Sequence, residues 1–210
     1  MTPDEYLDKK ENLLTMLEVE ITAAVLPQLN AALTAMGAMD DNTSDEERET
    51  ALTPLNDRLA QVIGESLFTH QREMTDLALE FYPGQPTPML SPQQWLEEIK
   101  MSGISLAKWF ERRSPSRWMK DVMRATPQEL RHTVSTAIDQ ALWYAAHRQE
   151  RFSWNRASAY RWITRPELSA SGTCNVCAPL NGRVEKRIRD FPLQLPAHPH
   201  CHCGILPTTV

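Results

Sequence analysis

Glycine is scarce in this chain, with 7 glycines among 210 residues, and they are scattered singly along the sequence. A phosphate-binding loop needs several closely spaced glycines, so the P-loop and dinucleotide-binding motifs are excluded. The metalloprotease pattern H-E-x-x-H and the nucleophile elbow G-x-S-x-G are also absent from the sequence. These absences leave little basis for an enzyme, and we expect a non-enzymatic protein.

Long apolar runs and a secretory leader are also lacking. The longest apolar run near the start, ITAAVLP at 21–27, is far shorter than the roughly twenty residues that a bilayer requires. The first residues, MTPDEYLDKKEN, contain no basic segment followed by an apolar one. We therefore expect no membrane partner, and we expect a reducing compartment in which disulfides are disfavoured.

Proline is common, with 15 residues, which favours helices with sharp ends over a fold rich in sheet. Ser or Thr followed by proline or an acidic residue recurs as a helix-start signal. Four of these starts fit a capping box, in which the third helical residue reaches back to the cap. They begin at Thr2, Ser44, Ser91 and Thr126, and weaker starts lie at Thr53 and Ser114.

Helical periodicity extends over the first three quarters of the chain. The spacing of apolar residues predicts helices over 2–36, 53–81, 91–99, 104–112, 114–124 and 126–149. We expect Pro27 to kink or end the first helix. Aromatic residues at helical spacing usually bury. We therefore expect the four tryptophans on these helices to anchor the core, namely Trp95, Trp109, Trp118 and Trp143.

From residue 157 onward the pattern becomes β-like. Residues 160–164 alternate large apolar with polar side chains, and Asn181 with Gly182 is a turn signal. The prediction is a mainly α fold, with helical N-terminal and middle regions and a small β-rich zinc-binding module at the C-terminus. Its regions are an acidic helical part at 1–85, a Trp-rich helical part at 86–155 and the metal-binding module at 156–210.

The charge of the chain is distributed unevenly. Residues 1–100 carry 6 Lys and Arg against 19 Asp and Glu, a net charge of −13, whereas residues 101–210 carry 16 against 8, a net charge of +8. This asymmetry suits a protein that docks on a partner with one end and meets nucleic acid with the other. Ordinary solvated helix faces are the alternative interpretation.

All four cysteines lie between residues 174 and 203, together with three of the six histidines. Cys174 and Cys177 form a C-x-x-C pair, and His198, Cys201 and Cys203 follow after a gap of twenty residues. Zn²⁺ binds four such ligands in a tetrahedron, and two hooks from distant segments supply them with little strain. We predict a structural zinc ion whose first-choice ligands are Cys174, Cys177, His198 and Cys201.

Five candidates compete for these four positions, and the sequence does not choose among them. Cys203 could replace His198 or Cys201, because residues two apart in a strand point to the same side. His200 and His202 flank a ligand and are expected to point away from it. Free buried thiols and two disulfides are the other interpretations of the cysteines. A complete set of four protein ligands favours a structural over a catalytic site.

A basic segment lies within the same stretch, at 183–189. Its four cations are Arg183, Lys186, Arg187 and Arg189. Grouped cations can contact backbone phosphates without reading the base sequence, so we expect weak, non-specific binding to DNA. A solvated loop that keeps the module soluble is the alternative.

The order of these residues resembles the C-terminal signature of the phage head morphogenesis family, the Mu F-like minor head proteins of tailed phages. The resemblance covers about residues 157–207. The matching positions are Trp162 in a strand, Cys174 and Cys177 in the knuckle, Gly182 in a turn, and His198, Cys201 and Cys203 before a closing Leu206-Pro207.

This resemblance implies a minor capsid protein that associates with the portal protein and other head proteins. Such a protein would be carried in the interior of the phage head, after assembly in the host cytoplasm. A zinc-stabilised DNA-binding protein acting outside the virion is the second expectation. A metal-dependent nuclease using the histidine cluster is the third, but that site would need an open coordination position.

Overall fold

The computed structural model describes residues 1–40, 42–101, 104–110, 122, 125–165, 175–197 and 201–208. The helices are α1 (Pro3–Gly37), α2 (Asp45–Phe81), α3 (Pro92–Glu98), α4 (Leu106–Trp109) and α5 (Pro127–Ser153). The strands are β1 (Lys100–Met101), β2 (Ile104–Ser105), β3 (Ala159–Ile163), β4 (Val184–Glu185) and β5 (Gly204–Thr208), and short 3-10 helices span Ala178–Leu180 and Ile188–Asp190. The chain is mainly helical with a small C-terminal strand region, which confirms the predicted fold class.

The four predicted capping boxes are all present. At the start of α1, the backbone N–H of Glu5 donates to Thr2 Oγ1 (3.2 Å), and the backbone N–H of Thr2 donates to Glu5 Oε2 (2.7 Å). The same reciprocal pair of bonds links Ser44 with Glu47, Ser91 with Gln94 and Thr126 with Glu129. These caps were predictable because they depend only on residues three apart.

One prediction based on proline was wrong. Helix α1 runs through Pro27 to Gly37, in agreement with the predicted span 2–36. Helix α2 begins at Asp45, so Pro54 lies inside it and Thr53 is not a helix start. An interior proline costs a helix about 3 kcal/mol. Buried apolar residues continue beyond both prolines, at Leu29 in α1 and Leu55 in α2, and their burial offsets this cost.

The helix predicted over 104–112 begins two residues later than expected. Ile104–Ser105 forms strand β2, which pairs antiparallel with β1, and among the described residues of this range Leu106–Trp109 is helical. Ser105 ends the strand and caps the helix, because its Oγ accepts a hydrogen bond from the N–H of Lys108 (3.4 Å). The predicted helix at 114–124, its start at Ser114 and the anchor Trp118 lie outside the described residues, apart from Val122, which is helical.

The chain divides into two compact units, and each is formed by separate stretches of sequence. The first comprises residues 16–69 and 90–141. Its core consists of the buried faces of the helices and includes Trp95 and Trp109, which confirms their predicted role as anchors. Arg58 of α2 also donates through Nε to the backbone carbonyl of Ala24 in α1, at 3.2 Å.

The second unit comprises residues 1–15, 70–89 and 142–210. A three-stranded antiparallel sheet in the order β4-β3-β5 places Trp162 of β3 opposite Ile205 of β5. Tyr6, Phe81 and Trp154 pack together beside it, with ring centroids 4.7 to 5.6 Å apart. The strand predicted at 160–164 is therefore confirmed to within one residue, as the central strand of this sheet.

The predicted turn at Asn181 and Gly182 is also present. Asn181 has φ −56° and ψ 126°, and Gly182 has φ 79°, which are the angles of a type II turn. The N–H of Arg183 donates to the carbonyl of Leu180 across the turn (2.9 Å). A positive φ at the third turn position favours glycine, so the sequence signal has a direct structural cause.

Helix α1 is long, and its second half contains no charged side chain after Glu20. An 18-residue window within it has a mean hydropathy of 1.2, and 22% of that window is buried. By length and composition alone this helix could cross a membrane, although the core helices of soluble proteins pass the same test. The absence of a membrane partner therefore stays a prediction.

Candidate metal centre

Three of the predicted metal ligands come together in the second unit. Cys177 lies just before the 3-10 helix Ala178–Leu180, and Cys201 and Cys203 precede strand β5. All three side chains are buried, with exposed fractions of 1%, 1% and 6%. Pairing of β3 with both β4 and β5 brings these two segments of the chain to the same end of the sheet.

The sulfur atoms are placed as they would be around a metal ion rather than in a disulfide. The three Sγ atoms lie within 4.8 Å of one another, and those of Cys177 and Cys201 are 3.9 Å apart. A disulfide would require about 2.05 Å. Two thiolates bound to Zn²⁺ at about 2.3 Å, at a tetrahedral angle, are about 3.8 Å apart. The described cysteines are therefore free thiols whose positions fit a metal ion.

The protonation of these thiols affects metal binding. Hydrogen bonding to Cys201, together with burial, raises the pKa of the Cys203 thiol far above its ordinary value. Thiolates, not thiols, ligate metals, so binding at this cluster must release protons.

Of the other candidate ligands, His202 is the one that falls within the described residues. Cys174 and His198 lie outside the described residues, as does His200. His202 is half-buried; its Nδ1 lies 3.3 Å from Glu11 Oε2, and its ring meets that of Trp143 edge to face, with centroids 4.9 Å apart. It is not one of the three clustered ligands, in agreement with its low rank among the candidates. Which residue completes the metal set stays a prediction.

The cysteines belong to the hydrophobic core of their unit. The same buried cluster contains Tyr6 from α1, Ala78 from α2 and Trp154 from the end of α5. The indole N–H of Trp154 donates to the carbonyl of Ala78 (2.8 Å), and the hydroxyl of Tyr160 donates to the carbonyl of Trp154. The centre is thus surrounded by helix ends as well as by strands.

A buried charged network, which the sequence reasoning missed, lies in the same unit. Glu150 Oε1 accepts hydrogen bonds from Lys10 Nζ (2.8 Å) and from the Tyr6 hydroxyl (2.6 Å), and Oε2 lies 2.6 Å from His147 Nδ1. Burial alone would raise the pKa of Glu150, but Lys10 and His147 outweigh it and hold the pKa at about 2. The one sequence signal was the spacing of His147 and Glu150, which places them on one face of α5.

His147 is a neutral partner in this network at pH 7. Burial lowers its pKa more than the neighbouring carboxylate raises it. Since Glu150 is ionised, Nδ1 carries the proton and donates it to the carboxylate. Among the described residues, Nε2 has no hydrogen-bond partner.

The predicted nucleic-acid residues divide into two groups. Arg183 is paired with Glu185 (2.7 Å) and does not line the neighbouring cleft. Lys186, Arg187 and Arg189 line an open cleft of about 390 Å³, and Arg187 also pairs with Asp190 (2.8 Å). Arg151, at the end of α5, and Asn155, in the turn that follows it, also line the cleft. The sequence reasoning missed them because they lie some thirty residues before the basic segment.

Comparison with known proteins adds no relative. No protein-family model, curated protein or solved structure matches this chain. Its function therefore has to be inferred from its own residues.

Proposed function

We propose that the protein is a non-enzymatic minor head protein of a tailed phage or prophage. It would be present in the host cytoplasm during assembly and in the interior of the finished head. The observation that carries this proposal is the convergence of the described signature residues on one small sheet. The N–H of Gly182 donates to the carbonyl of Trp162 (2.8 Å), and Trp162 stands opposite Ile205, two residues after Cys203. Residues that are far apart in the signature therefore support a single compact unit.

The metal of this unit is proposed to be zinc. Three thiol ligands favour a soft or borderline ion such as Zn²⁺ over Mg²⁺ or Ca²⁺, which prefer oxygen. Cys177, Cys201 and Cys203 would hold it, with Cys174 or His198 completing the set. A bound zinc ion would cross-link the segment before β5 to the segment before the turn. The burial of the three thiol groups supports a structural rather than a catalytic site.

The proposed partners are the portal protein and its neighbours in the head, contacted through the acidic helical part. Residues 21–39 carry no charged side chain. Before and within this stretch, α1 exposes three large apolar residues on one side. These are Met16, Val19 and Leu26, with exposed fractions of 49%, 65% and 45%. An apolar helix face of this kind suits docking against another protein.

Procapsids test this proposal directly. The full-length tagged protein, produced in cells that assemble the matching heads, should be recovered in purified procapsids, and the portal protein should co-purify with it. Val19→Glu should reduce this recovery several-fold because it places a charge on the docking face. Thr50→Glu, at an exposed position of α2, is the matched control. Absence of the unmodified protein from procapsids would refute the proposal.

The second candidate is a zinc-stabilised DNA-binding protein that acts outside the virion. It is favoured by the cleft that Lys186, Arg187 and Arg189 form with Arg151. A nuclease is disfavoured because the clustered thiols are buried and make poor contact points for a DNA substrate. Location separates the two candidates, since only the first places the chain inside heads.

A further inference from the structure

The cleft beside the basic segment has a lining of one charge sign. Four cations line it, namely Arg151, Lys186, Arg187 and Arg189, and no carboxylate is among the described lining residues. The chain as a whole carries a net charge of −5, so this local excess runs against the overall balance. A concave surface lined by one sign of charge concentrates its field on ligands of the opposite sign.

The contacts of each cation show which of them are available to a ligand. Arg183 and Arg187 are held by Glu185 and Asp190. Within the described part of the chain, Lys186 and Arg189 have no carboxylate at ion-pair distance. The guanidinium of Arg151 lies 5.9 Å from the ring centroid of Phe152, which is a weak contact. The available positive charge therefore belongs to Arg151, Lys186 and Arg189.

The rest of the lining restricts what kind of ligand fits. Tyr160 is buried and its hydroxyl donates to the carbonyl of Trp154, so it contributes apolar surface rather than a free polar group. Asn155 is exposed and has no hydrogen-bond partner among the described residues, so its amide can meet a ligand oxygen. An open, cationic cleft with few groups able to read bases suits a sugar-phosphate backbone.

We propose that this cleft binds the backbone phosphates of a nucleic acid, with Arg151, Lys186 and Arg189 as the main contacts and Asn155 as a neutral donor. The inference rests on the proposed function only in expecting DNA near the protein inside a head. It differs from the sequence prediction at two residues. Arg151 is added as a phosphate contact, and Arg183 is not expected to contact a phosphate.

Salt dependence of binding by the full-length protein tests the assignment. Fluorescence anisotropy of a short labelled DNA duplex would be recorded between about 50 and 200 mM salt. Three phosphate contacts predict a slope of about −2.7 in log K against log salt, which is a loss of about 40-fold over this range. Arg151→Gln should reduce the slope by about 0.9 and the loss to about 12-fold, and Arg189→Gln should act alike.

Arg183→Gln is the matched control, since it removes an equal charge from the same basic segment outside the cleft, and its slope should equal that of the unmodified protein. An equal fall for Arg183→Gln and Arg151→Gln would overturn the proposal, because binding would then follow total charge. Absence of binding at the lowest salt would also overturn it.

Inorganic phosphate is the second probe, and binding of phosphate tighter than that of DNA would point to a small-anion site instead. A failure here leaves recovery in procapsids unaffected, so the two proposals fail separately.

Discussion

The buried ion pair between Lys10 and Glu150 makes the sharpest prediction about stability. Both side chains are 3% exposed, and the ammonium lies 2.8 Å from the carboxylate. Glu150→Gln keeps the shape and part of the hydrogen bonding but removes the negative charge, which leaves Lys10 buried without a counter-ion. Breaking a buried pair in this way typically costs about 3 to 5 kcal/mol of unfolding free energy. We expect a loss in that range.

The chain offers a matched control for this substitution. Lys9 and Glu80 form a pair of the same residue types at 2.7 Å, but their side chains are 53% and 56% exposed. Exposed pairs contribute about 1 kcal/mol or less, so Glu80→Gln should have little effect. Urea unfolding followed by circular dichroism would measure both variants. A loss for Glu150→Gln no greater than that for Glu80→Gln would refute the reasoning.

The same pair predicts a dependence on pH. The pKa of Glu150 falls from an ordinary value of 4.5 to about 2 in the folded chain. Because the folded pKa is the lower one, the stabilisation is present above pH 4.5 and is lost as the pH falls toward 2. The shift corresponds to about 3 kcal/mol. Glu150→Gln should lack this part of the acid sensitivity, and adding Lys10→Met should recover much of the lost stability at pH 7.

Two further predictions concern the metal centre and the segment that follows α2. Cys177→Ser should lower the metal content, measured by elemental analysis, well below one zinc per chain. Chelation of the unmodified protein should shift its urea midpoint to that of the Cys177→Ser variant. The exposed substitution Ser158→Ala is the control, and full zinc content in Cys177→Ser would contradict the assignment. Gly84→Ala should cost about 1 to 3 kcal/mol in the same urea titration, because an added Cβ would lie 1.7 Å from the Ser153 carbonyl oxygen. Gly37→Ala, where a Cβ meets nothing within 4 Å, should change stability by less than about 1 kcal/mol, and equal effects of the two substitutions would refute the close approach.

Local signals in the sequence predicted local structure well. The caps at Thr2, Ser44, Ser91 and Thr126 depend on residues three apart, and the turn at Gly182 depends on one backbone angle. The predicted helix start at Thr53 was wrong because burial on either side of Pro54 outweighs the local penalty of an interior proline. A strand of two residues at 104–105 has too little pattern to separate it from the helix that follows.

The candidate site was predictable only where the type and spacing of its residues are chemically specific. The cysteines were found because thiols at knuckle spacing are rare and chemically specific. Lys10 could not be predicted as buried, because Lys is almost never buried unless paired, and its partner lies 140 positions away in sequence. Arg151 was missed for the same reason, since its place in the cleft depends on the return of the chain after β4 to the end of α5.

The cysteine cluster and the helix ends share one core, so a cut between the helices and the C-terminal strands would expose buried apolar surface. A cut at residue 155 would remove the sheet strand that carries Tyr160, whose hydroxyl is bonded to the carbonyl of Trp154. It would also uncover Tyr6 and Trp154, which are 1% and 0% exposed and pack in the cluster that contains the cysteines. Exposing a buried apolar side chain of this size to water costs about 1.5 to 3 kcal/mol of folding free energy. Removal of the proposed metal should therefore weaken the start of α1 and the end of α5 as well as the strands, because all three cover the same apolar surface.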